Sequence, residues 1–340
     1  MKGIRFDRNE IGGAFGDIGT DFPLIVGIIL ASGVNPVNVL VMFGLLQILT
    51  GLIYRMPMPV QPLKAMAVIV ITQKLDSDIL FGGGLAIGIV MLILSLSGFI
   101  NIISRIVPLC VVRGIQFGLG LQLATLALKD YVPAEGLIGY AVAFLCFVFV
   151  ILLFGNRKYP VALFVIVIGV IYALFFKLNL SYIKEGIGIQ IPKFQIPTFQ
   201  NIVNGFLLLS LPQIPLSIAN SVLATHQTAK DLFPERAPLT VRKISFTYSI
   251  MNLIAPFFGG IPVCHGAGGM VGFYTFGART GGAPIIYGIM YLILGLFFGK
   301  IFDNVVHIFP KPVLGVILFF EGIALIKLIF DSLLSKKEIM

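Results

Sequence analysis

The chain is expected to fold as an all-α polytopic membrane protein. Three observations predict this class. Of 340 residues, 58% are hydrophobic and only 11% are charged, whereas a soluble domain carries roughly 25% charged residues. The mean hydropathy is +1.01. The apolar stretches are also long, and only short runs of proline, glycine and charge separate them. At this length a water-soluble fold cannot hide so much apolar surface, and lipid is the alternative solvent. A spanning helix needs about 20 residues, so about twelve spans fit. This composition excludes a soluble enzyme, a disulfide scaffold, a disordered chain and a nucleic-acid-binding domain. The formal charge of +9 fits basic cytoplasmic loops. Cys110, Cys146 and Cys264 show no paired spacing, which argues against disulfides and against zinc. No metal or other cofactor is expected.

Taken in order, the segments that read as spans are 11–31, 36–54, 58–73, 81–98, 109–128, 137–155, 160–176, 203–225, 241–258, 261–275, 282–299 and 311–332. The first is not a cleavable signal, because it contains Asp17 and Asp21 and lacks a small-residue cleavage pattern. Segment 99–108 is too polar to span and reads as an interfacial connector. The longest connection, 177–200, divides the chain in two. With the N-terminus inside, sixteen basic residues fall on the inner side, seven on the outer side, and Lys64 alone within a span. This bias predicts a multi-pass protein of the plasma (inner) membrane with both termini cytoplasmic.

The third and tenth spans differ from the rest. The third opens RMPMPVQPLKAMAV, with Pro57, Pro59 and Pro62 close together. Proline removes a backbone donor and blocks a regular helix before it. Residues 57–61 should therefore be extended, with a helix starting near Pro62. Lys64 would then sit about one turn into that helix. The tenth opens GGIPVCHGAGGMVGF, and the same reasoning predicts an extended entry and a helix from about His265 or Gly266. Paired proline- and glycine-interrupted segments point to a transporter binding site. Proline spacing further suggests that spans 1–5 recur as spans 8–12, inverted in the membrane.

Irregular backbone at membrane depth survives only where it is buried or lines a cavity. Two half-helices starting from opposite sides would aim both N-termini at one spot, which is an anion site. Gly266, Gly268 and Gly269 would let backbone approach a ligand, and Lys64 would supply a full positive charge. Asp17 and Asp21 lie four apart on span 1 beside Thr20, and could pair with Lys64 or carry a co-transported proton. Glu321, inside the last span, is a further proton candidate. On span 8, Gln213, Ser217 and Asn220 offer neutral hydrogen-bond groups at helical spacing. His265 could donate to an anion or respond to pH. Cys264 and His265 are neighbours on extended chain and point to opposite faces, so joint metal binding is not expected.

The blocks GAFGDIGTDFPL (13–24), PMPVQPLKAMA (57–67), PQIPLSIANSVLAT (212–225) and PVCHGAGGMVGFYTFGARTGG (262–282) resemble the molybdate-transporter family. That family is a branch of the SulP sulfate-permease superfamily, and the likeness covers nearly the whole chain. The wider group is similar to the uracil-permease fold. The resemblance implies a core domain of approximately 11–98 and 203–299 and a gate domain of approximately 109–176 and 311–332. It places substrate between the two interrupted spans, around Gln61, Pro62 and Lys64 and around Cys264, His265, Gly266, Ala267 and Gly268. Spans 1 and 8 flank that place. Relatives in the wider fold often carry a carboxylate in span 8, and this chain has none there. The full repeat has fourteen spans, two more than read here, and SulP permeases usually carry a C-terminal STAS domain that is not expected here.

The reading that results is secondary active import of a tetrahedral oxyanion, with protons as co-substrate and alternating access. The resemblance implies molybdate. Sulfate and tungstate, a passive anion channel, and a nucleobase permease of the same fold stay open as alternatives. A homodimer is the candidate assembly, the bilayer is the required partner, and nucleic acid is not one. The orientation yields a direct prediction: cysteines placed at Lys184 and at Lys230 label from opposite faces of intact cells, and labelling of both from outside would refute it.

Overall fold

The computed structural model describes residues 3–100, 102, 109–153, 161–176, 188–236 and 239–334. Most of the connector 99–108, the start of the 177–200 connection, and Lys2, Arg105, Arg157, Lys158, Lys177, Lys184, Lys336 and Lys337 lie outside these residues. The first helix, α1 (Arg8–Ala14), is capped by the Asp7 carboxylate, which accepts from the Asn9 and Glu10 amides. After a break at Phe15–Asp17 the chain re-enters helix as α2 (Ile18–Ser32), which ends at Gly33 in the left-handed region. In α3 (Pro36–Tyr54), proline occupies the first position and Asn35 caps it through the Val37 amide. A short strand β1 (Gln61–Pro62) leads into α4 (Lys64–Gln73), followed by α5 (Ser77–Ser97).

The second part of the chain continues with α6 (Leu109–Leu126), which runs on through a π turn and a 3-10 turn into α7 (Gly136–Leu152). Helix α8 (Val161–Phe176) follows. The next helix, α9 (Phe199–Leu232), contains two π-helical stretches, Phe206–Ser210 and Ser217–Ala224, on either side of Pro212 and Pro215. Then come α10 (Val241–Ile254), strand β2 (Val263–Cys264), α11 (Ala267–Thr275), α12 (Gly282–Ile308) and α13 (Lys311–Leu334). The all-helical class predicted from composition is the class found.

Helix occurs in every one of the twelve expected segments. Among the described residues, five helical runs are long and apolar enough to cross a membrane: Pro36–Tyr54, Ser77–Ser97, Cys110–Leu152, Phe199–Leu232 and Gly282–Ile308. The bent pair Arg8–Ala14 and Ile18–Ser32, at 40°, makes a sixth if counted as one span. The difference from twelve has a physical cause. The third and tenth segments are extended over part of their length, and Lys64–Gln73 and Val161–Ala173 are apolar but short. The expected fifth and sixth spans form one helical run, deformed around Pro133 and Gly136.

Both interrupted segments start their helices later than the prolines suggested. β1 and β2 pair antiparallel, Gln61 opposite Cys264 and Pro62 opposite Val263, and the Leu63 amide donates to the Pro262 carbonyl at 3.0 Å. This tertiary pairing keeps the chain extended through Leu63. Lys64 is therefore the first residue of α4, not one turn inside it, and α11 begins at Ala267. The first span breaks at Phe15–Asp17, and a Cβ on Gly16 within that break would lie 2.4 Å from the Gly272 carbonyl oxygen.

The long helices pack in pairs, α3 on α12, α5 on α10 and α6 on α13. Lipid offers no hydrophobic drive between helices, so close backbone approach at small residues does the joining. Gly44 and Gly288 face each other across the first pair: a Cβ on either would sit 2.6 or 2.5 Å from the other's carbonyl oxygen. Gly114, by contrast, faces open space. Gly44→Val should therefore lower stability by the overpacking cost of about 1–3 kcal/mol, while Gly114→Val should be close to neutral. Thermal unfolding of the purified protein in detergent measures both.

Candidate functional site

The site is built where β1 and β2 cross. Two amide side chains fix the strands. Gln47 on α3 donates to the Val60 carbonyl at 2.9 Å and accepts from the Val60 amide at 3.3 Å. Asn252 on α10 does the same for Val263, at 2.7 and 2.9 Å. All four residues are buried. The sequence reading missed both amides. The only signal was a lone Gln and a lone Asn inside apolar helices.

The crossing sets where two helix N-termini lie, and the two differ. The amides of Ala65 and Met66, in the first turn of α4, donate to the Gln213 side-chain oxygen at 2.9 and 3.3 Å. Gln213 in turn donates to Ser217 at 3.1 Å, and Ser217 bonds the Tyr248 hydroxyl at 2.7 Å. Gln213 and Ser217 thus support α4 from behind, and its N-terminus is closed. The first turn of α11 has no side-chain cap. Its second residue, Gly268, is exposed between the half-buried Ala267 and the buried Gly269, and a Cβ there would meet nothing within 4 Å. The free N–H groups of this turn carry about half a positive charge.

Around that open terminus the expected residues do come together. Gln61 donates to both oxygens of the Asp17 carboxylate, at 2.7 and 2.9 Å. A Cβ on Gly266 would overlap the Gln61 side chain, and one on Gly269 would lie 2.2 Å from Asp17. Glycine is required at both because Gln61 and Asp17 press on the turn. Lys64 and Glu321 form an ion pair at 2.7 Å. Asp17, Asp21, Lys64 and Glu321 lie within Coulombic reach of one another. Asp21 is fully buried, and among the described residues neither of its oxygens has a hydrogen-bond partner. Thr20, Lys64, Asn220 and Ala267 are partly exposed.

Other expected residues take supporting places. Pro62 lies in β1 and Cys264 in β2, and both are buried. His265 is buried with both ring nitrogens engaged, Nδ1 at 3.0 Å from the Pro59 carbonyl and Nε2 at 2.9 Å from the Thr247 hydroxyl. A carbonyl can only accept, so Nδ1 carries the proton and Nε2 accepts. The imidazole ties the two crossing segments to α10 and is not turned toward Gly268. Glu10, which the sequence reading did not single out, is also buried. It accepts from the amides of Arg279, Thr280 and Ala283, and so caps the start of α12. Beside Glu321, a cavity of about 310 Å³ opens between α2, α7, α8 and α13, with Gly19, Val150, Ala162, Phe320 and Lys327 on its walls.

The long paired helices, with two short strands crossing between half-helices, define a multi-pass membrane transporter. The fold is that of the transmembrane domain of a cyanobacterial bicarbonate transporter, BicA: TM-score 0.71, 18% identity, 97% of this chain and 92% of that one. Murine solute carrier 26 family member A9, an anion transporter solved in the inward-facing state, matches with TM-score 0.72 and 13% identity over 99% of this chain and 64% of that one. The family model described as molybdate transporter of the MFS superfamily matches residues 9–123 and 205–325, and the chain belongs to this family. Molybdate transporter 1 of Arabidopsis thaliana is 33% identical over 369 residues, 93% of this chain and 78% of that protein. Molybdate transporter 2 of the same plant is 34% identical over 365 residues, with the same coverage. Molybdate transporter 1 of Chlamydomonas reinhardtii is 26% identical over 430 residues. The matched proteins are transporters, and the chain is read as a transporter and not as an enzyme. The crossing strands set this fold apart from two six-helix bundles related about the membrane normal.

The support given to α4 is testable. Gln213→Leu leaves the Ala65 and Met66 amides buried without an acceptor, at about 1–3 kcal/mol per group. Its thermal midpoint in detergent should fall clearly, whereas Gln213→Glu, which keeps the acceptor oxygen, should fall less.

Proposed function

We propose that the chain imports a tetrahedral oxyanion, molybdate, by secondary active transport with alternating access. The observation that carries this reading is the uncapped, exposed first turn of α11 at Gly268, at the strand crossing from whose other strand α4 and Lys64 begin. Backbone N–H groups and one cation suit a small anion. The family supports molybdate over sulfate and tungstate. The half-buried positive charge of Lys64 argues against a neutral nucleobase. The moving parts are a core of approximately 11–98 and 203–299 and a gate of approximately 109–176 and 311–332. Helix pairing supports an inverted repeat: exchanging spans 1–5 with 8–12 turns the α3–α12 pair into the α10–α5 pair. The same exchange maps α6–α13 and β1–β2 onto themselves.

Protons are the proposed co-substrate. A dianion entering a cell held negative inside must climb about 2.3 kcal/mol per charge per 100 mV, so uphill import needs cations. Three carboxyl groups, Asp17, Asp21 and Glu321, stand near one ammonium. Fully ionised, that cluster is already negative and repels an incoming anion. Proton uptake removes the repulsion. Asp21 is the favoured carrier, because Asp17 is held by Gln61 and Glu321 by Lys64, while Asp21 has no donor.

Titration calorimetry with molybdate, tungstate, sulfate and uracil tests the site. Lys64→Ala should weaken oxyanion binding by a charge-assisted contact of about 1.5–3 kcal/mol, or about 10- to 150-fold. Gly268→Val should abolish it in a folded protein. Unchanged affinity in both variants moves the site elsewhere. For coupling, Asp21→Asn in liposomes should still exchange oxyanion yet lose acid-driven accumulation. Full acid-driven uptake by Asp17→Asn, Asp21→Asn and the double variant would remove span 1 from the proton path.

A further inference from the structure

Lys64 is not free to receive an anion: its ammonium already holds the Glu321 carboxylate at 2.7 Å. The two residues are 257 positions apart. Lys64 begins the half-helix that is locked to the strand crossing by Gln213 and Gln47. Glu321 belongs to α13, which packs on α6. The pair therefore adds a contact between opposite charges to two packing units that also meet where α13 packs on α2 and α6 on α4. We propose that Glu321 is a tethered competitor for the substrate anion, occupying Lys64 when the site is empty and leaving it when the oxyanion binds. This deepens the anion reading given above and rests on it.

An ammonium in a low-dielectric site is costly unless it is paired, and removing one member of a buried pair leaves the other uncompensated. A Lys64 left alone when the site is empty would carry that cost. Glu321 removes it at contact distance, with side-chain exposures of 21% for Lys64 and 8% for Glu321. Asp17 is instead positioned by Gln61, which donates to both of its oxygens. When an oxyanion takes Lys64, Glu321 in turn loses its cation and cannot stay unchanged. The 310 Å³ cavity that Glu321 and Lys327 line gives the carboxylate room to turn away from Lys64. Because Glu321 is fixed to α13, release of the pair also frees α13 from α4. Occupancy of the site is thereby linked to the contact between the two units. On this inference Glu321 is an affinity-setting residue that touches Lys64, not a ligand of the anion.

The test is molybdate binding, by titration calorimetry in detergent, to the purified full chain as wild type, Glu321→Gln, Lys64→Ala and the double variant. Glu321→Gln keeps the size and a hydrogen-bonding oxygen but removes the competing charge. It should bind about tenfold tighter than wild type or better. Lys64→Ala should bind more weakly, and the double variant should match Lys64→Ala within about twofold, because the gain from losing Glu321 acts only through Lys64. Weakened Lys64→Ala together with an unchanged or weaker Glu321→Gln overturns the competition while leaving the anion reading intact. Equal tightening in the Lys64→Ala background overturns it as well. Wild-type affinity in Lys64→Ala overturns this inference, and only together with wild-type affinity in Gly268→Val does it overturn the anion reading itself. If Glu321→Gln does not fold, Glu321→Asp serves: a carboxylate one methylene shorter cannot hold the 2.7 Å contact in place and should also tighten binding, and unchanged affinity there overturns the proposal.

Discussion

The antiparallel crossing of β1 and β2 is the constraint on which the rest of the structure depends. Two residues per strand make a ladder too short to satisfy the extended backbone leading into it. In a lipid-facing protein each unpaired backbone group costs several kcal/mol. Gln47 and Asn252 remove that cost, each accepting one amide proton and donating to the carbonyl of the same residue. Both come from long helices that pack tightly elsewhere, α3 on α12 and α10 on α5. The strands are therefore held by helices that have other reasons to stay fixed. Where the strands end, α4 and α11 must begin, and that places Lys64 and Gly268.

The two half-helices are alike in outline and different in chemistry. Gln213 fills the first turn of α4, and behind it Ser217 and Tyr248 continue a chain of hydrogen bonds into α10. Nothing comparable fills the first turn of α11. Asp17 approaches it but spends both oxygens on Gln61. One terminus thus serves the architecture and the other is left for a ligand. The asymmetry follows from one residue type in each flanking helix: an amide can accept from amide protons without placing a charge beside Lys64, whereas a carboxylate at the same place would neutralise it.

Much of this was legible in the sequence because proline and glycine act locally. Pro57, Pro59 and Pro62 exclude helix by removing donors, so the extended entry of the third segment could be read directly. The place where helix resumes could not, since pairing with Val263 holds Pro62 and Leu63 extended, and pairing is a tertiary fact. Gln61, Asp17, Gly266 and Gly269 were singled out for separate reasons, and they turn out to touch. The partner of Lys64 lies 257 residues away, with no periodicity linking the two. His265 shows the opposite limit. Its chemistry suggested a ligand, but the Pro59 carbonyl and the Thr247 hydroxyl consume it. A side chain's capacity is visible in sequence, whereas its prior commitments are not. The number of unbroken spans is less legible for a related reason. Hydropathy registers apolar composition, while a spanning helix also needs unbroken length, which the strands and the bend at Gly16 take away.

Charge balance connects these features. On the proposed reading, one site must be tolerable in low dielectric both empty and loaded. When empty, Lys64 and Glu321 form a neutral pair, and Asp17 and Asp21 are two further carboxyl groups within Coulombic reach of it. Gln61 stabilises Asp17 through two charge-assisted hydrogen bonds, which are about twice as strong as neutral ones. Asp21 has no such help. A dianion arriving at Gly268 brings two charges, which the helix dipole and Lys64 offset only in part, since the dipole contributes about half a charge. The remainder has to be met by protons or by moving Glu321 away, and the structure provides for both: an unbonded buried carboxyl beside Asp17, and a cavity behind α13. A site made only of positive groups would bind the anion more tightly and would then hold it. Three carboxyls around one lysine leave binding near balance, which is the condition a carrier needs in order to release what it binds.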